Sequence, residues 1–220
     1  EHAVCRSGRR FVKKYGDRPI ALRDTTYTAR NGARDLHGTL GETTLAAHAN
    51  ANATNASKGL IFDTSHGDFG LLPEIFANGD FRIPSVAGGS LGGTFYDPVV
   101  SIGRPGQGLP FHKHQSNWLA LCSGLKQWYF WQSATGEPPN SAWHRLPARV
   151  LENAELARKE NFDAWGVRFL RCAQRPGEIM FLPAGGKQAT WHATYNLPSM
   201  PDDPLTIGFG GFGAGGHLTG

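Results

Sequence analysis

Three histidines on two predicted strands have the types and spacing of a metal site. His112 and His114 lie two residues apart, and His192 follows about eighty residues later. In an extended strand alternate side chains share a face, so His112 and His114 would point the same way. Three imidazoles supply protein ligands and leave other coordination positions open, an arrangement that suits Fe(II) and also Zn(II). The sequence therefore predicts a metal site built by His112, His114 and His192.

The elements that must position these histidines are predicted to be mainly strands. Short runs of β-branched and aromatic residues, bounded by Gly or Pro, are typical of strands joined by turns in a barrel or sandwich. We expect them at residues 94–102, 111–121, 126–131, 167–172, 179–182, 190–196 and 205–209. Upstream we expect a helix over 3–16, a strand over 19–23, a polar region to about residue 60 and a helix over 71–77. Another helix is predicted near 149–160.

The motifs around the histidines resemble the jumonji-C family of the cupin superfamily. After His112 and His114 come Gly-x-Lys-x-Trp at 124–128, Gly-Glu-x-x-Phe-x-Pro at 177–183 and His-Ala-x-x-Asn-Leu at 192–197. The segment FVKKYGDRPIALRD is similar to the family's entry helix and first strand, so the resemblance spans nearly the whole chain. It implies a mainly β fold, a double-stranded β-helix (cupin or jelly-roll barrel) with an N-terminal helix and short flanking helices. We expect one domain: an extension over 1–90, the barrel over 91–212 and a tail over 213–220.

The resemblance also implies cofactors and an activity. Relatives that are dioxygenases use Fe(II) and 2-oxoglutarate to hydroxylate a protein substrate. Lys126 matches the lysine that pairs with the far carboxylate of the cosubstrate, and Asn117 and Asn196 match polar positions that can contact it. From the residues alone, Lys126 could equally be an exposed strand lysine, and either asparagine could satisfy backbone groups inside the barrel.

Three departures from the family pattern leave other functions open. His114 stands where most relatives have a carboxylate, which removes a negative charge from the metal shell. Leu109 stands where active relatives often have a hydroxyl, and extra residues separate Pro183 from His192. The first alternative is a non-catalytic cupin that serves as a scaffold subunit of a larger assembly. The second is a three-histidine dioxygenase acting on a small molecule, or a Zn protein.

The charge of the chain does not favour a nucleic-acid partner. The net charge is +4, and the first 34 residues carry nine basic against three acidic side chains. The simplest interpretation is a helix that packs its apolar side on a barrel and exposes its basic side to solvent. No apolar run approaches the length of about eighteen residues that spans a membrane, so we expect no membrane span.

Two sequons favour the secretory pathway. Asn52 and Asn55 begin two Asn-Ala-Ser/Thr acceptors in a small, polar, alanine-rich segment that is typical of an exposed loop. We therefore expect a glycoprotein of the ER lumen or the extracellular space. Its three cysteines permit one disulfide with one thiol left over, and their spacing selects no pairing.

Overall fold

The computed structural model describes residues 7–24, 36–41, 59–64, 71–82, 85–86, 89–90, 95–113, 116–132, 168–182, 190–198 and 205–213. The helices are α1 (Gly8–Tyr15) and α2 (Leu71–Ala77). The strands before the barrel are β1 (Pro19–Asp24), β2 (Leu36–Thr39), β3 (Gly59–Thr64), β4 (Ser85–Val86) and β5 (Gly89–Ser90). The barrel strands are β6 (Phe95–Gly103), β7 (Gly108–His112), β8 (Asn117–Ser123), β9 (Leu125–Gln132), β10 (Arg168–Gln174), β11 (Ile179–Leu182), β12 (His192–Leu197) and β13 (Thr206–Gly213).

Strand order identifies the barrel. The larger sheet has the order β11-β8-β13-β6-β3-β1-β2, and the smaller sheet has the order β10-β9-β12-β7. All pairings in the two sheets are antiparallel. Among the described strands from β6 onward, consecutive strands lie in different sheets except for β9 and β10, which pair within the smaller sheet. This eight-strand order is that of a jelly roll, so the predicted double-stranded β-helix is confirmed.

The two faces of the larger sheet pack against different layers. Alternation along β8 sends Trp118 and Ala120 to the outer face, where they join a cluster with both helices. Leu119 points the other way and packs against Trp128 of the smaller sheet and Leu182 of β11. The Leu119 side therefore faces the space between the sheets, which is the barrel interior.

The helices cover the outer face of the larger sheet. The Ser7 side chain accepts a hydrogen bond from the backbone N–H of Arg10 and caps α1. Spacing of i and i+4 then turns Phe11 and Tyr15 toward the sheet, and both are fully buried. The Phe11 ring packs 6.2 Å from that of Phe209 on β13. Helix α1 is thereby anchored directly on a barrel strand.

Two predictions about strand bounds were wrong in ways that matter for the site. The single strand predicted over 111–121 is divided, because β7 ends at His112 and β8 begins at Asn117. The last strand, predicted over 205–209, begins at Thr206 and continues to Gly213. There a Cβ at Gly210 would lie 2.1 Å from the Trp118 carbonyl oxygen, so the glycine allows β13 to approach β8 closely.

The polar region expected before residue 60 contains β2 and the start of β3. Both pair with β1, and β3 also pairs with β6, so they extend the larger sheet beyond the barrel. The predicted helix over 71–77 is present with the predicted bounds. The helix predicted near 149–160 lies outside the described residues. In the described part of the chain, neither helix has the length and apolar character needed to cross a membrane.

Candidate metal centre and carboxylate site

Two of the predicted metal ligands face each other across adjacent strands. His112 at the end of β7 and His192 at the start of β12 are direct cross-strand partners. Their ring centroids are 4.3 Å apart and their planes are inclined by 57°. Two imidazoles that bind one ion at about 2.1 Å have centroids roughly 4–5 Å apart, so this pair fits a shared metal ion. The extra residues before His192 do not prevent it from reaching His112.

A backbone hydrogen bond sets the chemistry of His192. Its Nδ1 lies 2.9 Å from the carbonyl oxygen of Thr190, and a carbonyl can only accept, so Nδ1 carries the proton and donates. In the neutral ring the lone pair is then on Nε2. This is the arrangement by which metal-binding histidines are commonly oriented.

The third predicted ligand, His114, lies outside the described residues. Within the described ranges no group of three or more His, Cys, Asp or Glu side chains could hold a metal. The described part of the site therefore contributes two imidazoles. Strand β7 ends at His112, and the predicted alignment of His114 with His112 lies outside the described residues.

Lys126 and Asn196 form a buried polar pair on the same sheet as the histidines. They are cross-strand partners on β9 and β12, and Lys126 Nζ donates to Asn196 Oδ1 at 2.9 Å. Lys126 is 1% exposed and Asn196 is fully buried. Loss of water around the ammonium lowers the pKa of Lys126 from 10.5 to about 8. The lysine is therefore no surface residue, and its charge is costly unless an anion joins it.

The polar pair leaves donor capacity inside the protein. Within the described residues, Asn196 Nδ2 is buried and has no hydrogen-bond partner. The ammonium of Lys126 has three donor hydrogens, of which Asn196 Oδ1 takes one. Unused donors beside a buried cation form a suitable cradle for a carboxylate.

Asn117 is the other predicted cosubstrate contact. It lies at the start of β8, directly opposite Leu182 of β11. Its side chain is 8% exposed, and its Oδ1 is a buried acceptor without a partner in the part of the chain that the structure describes. Since Leu119 faces the interior, Asn117, two residues earlier, has the same orientation. It offers an acceptor to the barrel space.

Trp128 lies between the His112–His192 pair and the Lys126–Asn196 pair. On β9 it is two residues from Lys126, and its ring centroid is 5.7 Å from that of His192. Its Nε1 donates to Gln174 Oε1 at 2.9 Å, and Gln174 Nε2 donates to the Leu119 carbonyl on the opposite sheet at 2.7 Å. Gln174 thus fixes the indole and bridges the two sheets.

Sequence reasoning missed Gln174 and Thr194. Gln174 is 1% exposed and Thr194 is 4% exposed, and both are polar. The feature that could have indicated them is their position relative to predicted site residues. Gln174 lies opposite Lys126, and Thr194 is two residues from His192 and from Asn196. Alternation along β12 could have indicated Thr194 once His192 and Asn196 were assigned to one face.

Several predictions fall where the structure gives no description. The sequons at Asn52 and Asn55 lie outside the described residues, as does Cys5. Cys122 and Cys172 are described, and neither is in a disulfide. The two described cysteines are therefore not paired with each other, and no pairing was predicted.

Comparison with known proteins gives similarity at the level of the fold only. No family model and no curated protein matches the chain. Solved structures with similarity include an oxalate decarboxylase of Lactobacillus farciminis in a formate complex, with 13% identity over 55% of this chain and 24% of that chain (TM-score 0.32). A structure of DMSP lyases shows 15% identity over 55% of this chain and 40% of that chain (TM-score 0.31).

A third similar structure is the CENP-C cupin domain of Drosophila melanogaster, with 9% identity over 53% of this chain and 59% of that chain (TM-score 0.31). In each case the match spans less than two thirds of the other chain. Similarities this slight indicate no activity, and the barrel is identified by its own strand order.

Proposed function

We propose that the chain is a jumonji-C-like metal-binding cupin that acts as an Fe(II)- and 2-oxoglutarate-dependent protein hydroxylase. The observation that carries the proposal is the buried Lys126–Asn196 pair, whose unused donors lie on the same sheet as the His112–His192 pair and share strand β12 with it. The His112–His192 pair suits a metal ion, and the Lys126–Asn196 pair suits a carboxylate. The motifs around these residues further resemble Jumonji domain-containing protein eight, a lumenal member of the family.

A dicarboxylic 2-oxo acid fits this combination of groups. A buried carboxylate needs a paired cation, because an unpaired charge removed from water costs several kcal/mol. Lys126 would bind the far carboxylate and Asn196 would donate its amide hydrogens to it. The same anion would restore a charge partner to the lysine, so the ligand and the protein would each satisfy the other's buried group.

His112 and His192 would hold the metal, with His114 as the proposed third ligand. Bound Fe(II), with 2-oxoglutarate and O₂, supplies the oxidation of the protein substrate, while the protein supplies geometry and a site shielded from water. The backbone hydrogen bond from His192 Nδ1 would keep that ring in the tautomer whose Nε2 can bind. A site with three imidazoles would also suit Zn(II).

The test combines metal analysis with measurements of 2-oxoglutarate binding and of succinate formation. Natively purified protein is assayed for Fe and Zn, then loaded anaerobically with Fe(II) and titrated with 2-oxoglutarate. We expect about one metal per chain, saturable binding of 2-oxoglutarate and slow formation of succinate under O₂. Metal binding without any 2-oxoglutarate binding would instead favour the small-molecule dioxygenase or the Zn protein.

The packing between the sheets favours one alternative, a non-catalytic scaffold. Leu119, Trp128 and Leu182 form an apolar cluster there, against which Phe130 and Met180 pack. Side chains that occupy interior space in this way leave less room for a cosubstrate. A protein that binds neither metal nor 2-oxoglutarate but copurifies in a defined assembly would support this alternative and exclude the hydroxylase.

The proposed location is the secretory pathway, in the ER lumen or outside the cell. It rests on the sequons at Asn52 and Asn55. Protein from its natural source should lose mass on treatment with an N-glycosidase, and the change should map to one of these asparagines. An unmodified chain from a native preparation would count against a secretory location.

A further inference from the structure

Thr194 lies between the two halves of the proposed site. His192, Thr194 and Asn196 occupy alternate positions of β12, so their side chains share one face. At a rise of about 3.4 Å per residue, Thr194 is roughly 7 Å along the strand from each of the other two. Its cross-strand partner on β9 is Trp128. A hydroxyl therefore lies between the imidazole pair and the ammonium of Lys126.

The hydroxyl is held in place through its oxygen. The backbone N–H of Leu109 donates to Thr194 Oγ1 at 3.3 Å, at the point where the register between β7 and β12 shifts. Thr194 is 4% exposed, so exchange of this contact with bulk water is restricted. A threonine hydroxyl also has a hydrogen of its own to donate. The hydrogen bond from the Leu109 N–H fixes the position of Thr194 Oγ1, and the hydroxyl hydrogen can then be donated to an acceptor in the barrel.

We infer that the Thr194 hydroxyl is a third donor to the carboxylate that Lys126 and Asn196 bind. This inference rests on the proposed function and names a further binding residue for the same ligand. A carboxylate has about four lone-pair sites, so one hydrogen bond from the ammonium and one from the amide leave sites that a third donor atom can fill. In a buried site each unfilled acceptor is costly, so a hydroxyl beside the cation adds both affinity and a fixed orientation.

The experiment compares two matched pairs that differ only in the hydroxyl. Thr194→Val is compared with wild type, and Thr194→Ala with Thr194→Ser, so that each comparison keeps a closely similar volume. Metal-loaded holoprotein of each form is titrated with 2-oxoglutarate, and metal content and melting temperature are measured on the same samples. The Ser and Ala pair keeps the test usable if the Val variant folds poorly.

We expect the forms without the hydroxyl to bind 2-oxoglutarate about tenfold or more weakly than their partners, because a hydrogen bond to a charged group has a worth of this order. Metal content should stay constant, since the proposed role of the hydroxyl is not metal binding. Equal affinity within both pairs, with wild type binding normally, would overturn the role of Thr194 and leave the proposed function standing. Equal losses of metal and cosubstrate would also overturn it, by showing a purely structural role. No binding to metal-loaded wild type would instead refute the proposed function.

Discussion

Lys126 is a cation whose burial is opposed by the loss of water. Its described partner is a neutral amide oxygen, and its pKa falls from 10.5 to about 8. Below pH 8 both the folded and the unfolded chain carry the proton. Between about pH 8 and 10.5 the unfolded chain holds the proton and the folded chain releases it, so stability must rise with pH in this window.

This shift gives a prediction for Lys126→Met in the protein without ligand. Wild type should gain up to about 3 kcal/mol in free energy of unfolding between pH 7.5 and 10.5 from this group, and the variant should lack that gain. Urea denaturation at several pH values in the window measures it. The difference between the two proteins is the relevant quantity, because other lysines and tyrosines titrate in the same range. Parallel pH profiles for the two proteins would show that Lys126 is not buried as a cation.

The histidines give a second prediction at the residue scale. Replacing His192 by Ala removes one of two facing imidazoles, and we expect metal affinity to fall by at least about a hundredfold. His37→Ala is the control, because His37 lies on β2 at the far edge of the larger sheet. Metal content after dialysis against a weak chelator distinguishes the His192→Ala and His37→Ala variants. Equal retention of metal by both variants would mean that His192 is not a ligand.

At the scale of elements, the turns fix where each strand begins and so which residues meet. Gly124 separates β8 from β9 and has φ +83, a conformation that favours glycine. An added Cβ there would lie 2.5 Å from Thr206 Cα and 2.4 Å from its Oγ1. Gly124 therefore lets β13 pass close to the turn that precedes Lys126.

Gly177 offers a matched comparison for Gly124. It has φ +90 in the turn before β11, but an added Cβ would meet nothing within 4 Å. Gly177→Ala should therefore cost about 1–2 kcal/mol from backbone strain alone, and Gly124→Ala should cost more because it adds a backbone clash. Chemical denaturation of both variants measures the difference. A Gly124→Ala protein as stable as Gly177→Ala would show that the turn relaxes freely.

The elements also show how much of the fold the sequence could predict. Strand β11 was predicted with the correct bounds because its pattern is local: four consecutive apolar residues that are followed directly by Pro183. Strand β2 has the sequence LHGT, which carries little such pattern, and it is a strand because it pairs with β1. The extension of β13 through its glycines likewise depends on contact with β8, which no local signal encodes.

The same distinction applies to the site. Strand alternation and the motifs indicated His112, His192, Lys126 and Asn196. They could not give the distance between the histidine rings, which depends on the β7–β12 pairing. They could not give the role of Gln174 either, because its partners come from β9, β8 and the following turn and lie 46, 55 and 4 residues away in sequence.

At the scale of the whole molecule, the helical cover and the barrel share one core. Phe11 of α1 belongs to the same buried cluster as Trp118 and Phe209 of the barrel. Asp80, just after α2, accepts from Lys14 Nζ at 2.5 Å and also from Tyr15 Oη. The Arg18–Glu74 ion pair, at 2.6 Å, is a further contact between the α1 region and α2. The cover and the larger sheet should therefore unfold together.

Phe11→Ala tests that cooperativity. The ring is fully buried, so its loss should cost about 3–5 kcal/mol in free energy of unfolding. Lys13→Ala, on the exposed side of α1, should change stability by less than about 0.5 kcal/mol. Unfolding followed by tryptophan fluorescence and by far-UV circular dichroism should give coincident transitions in all three proteins. Separate transitions in wild type would show that α1 and the barrel are independent units.

The central claim is that the Lys126–Asn196 pair binds a carboxylate beside a metal held by His112 and His192. Its most direct test is a calorimetric titration of 2-oxoglutarate into metal-loaded protein. Wild type should bind with about one site per chain. Lys126→Met should keep its metal and lose 2-oxoglutarate affinity by about a hundredfold or more, because a buried carboxylate would lose its paired cation. Absence of binding to loaded wild type, or equal affinity in the two proteins, would contradict the claim.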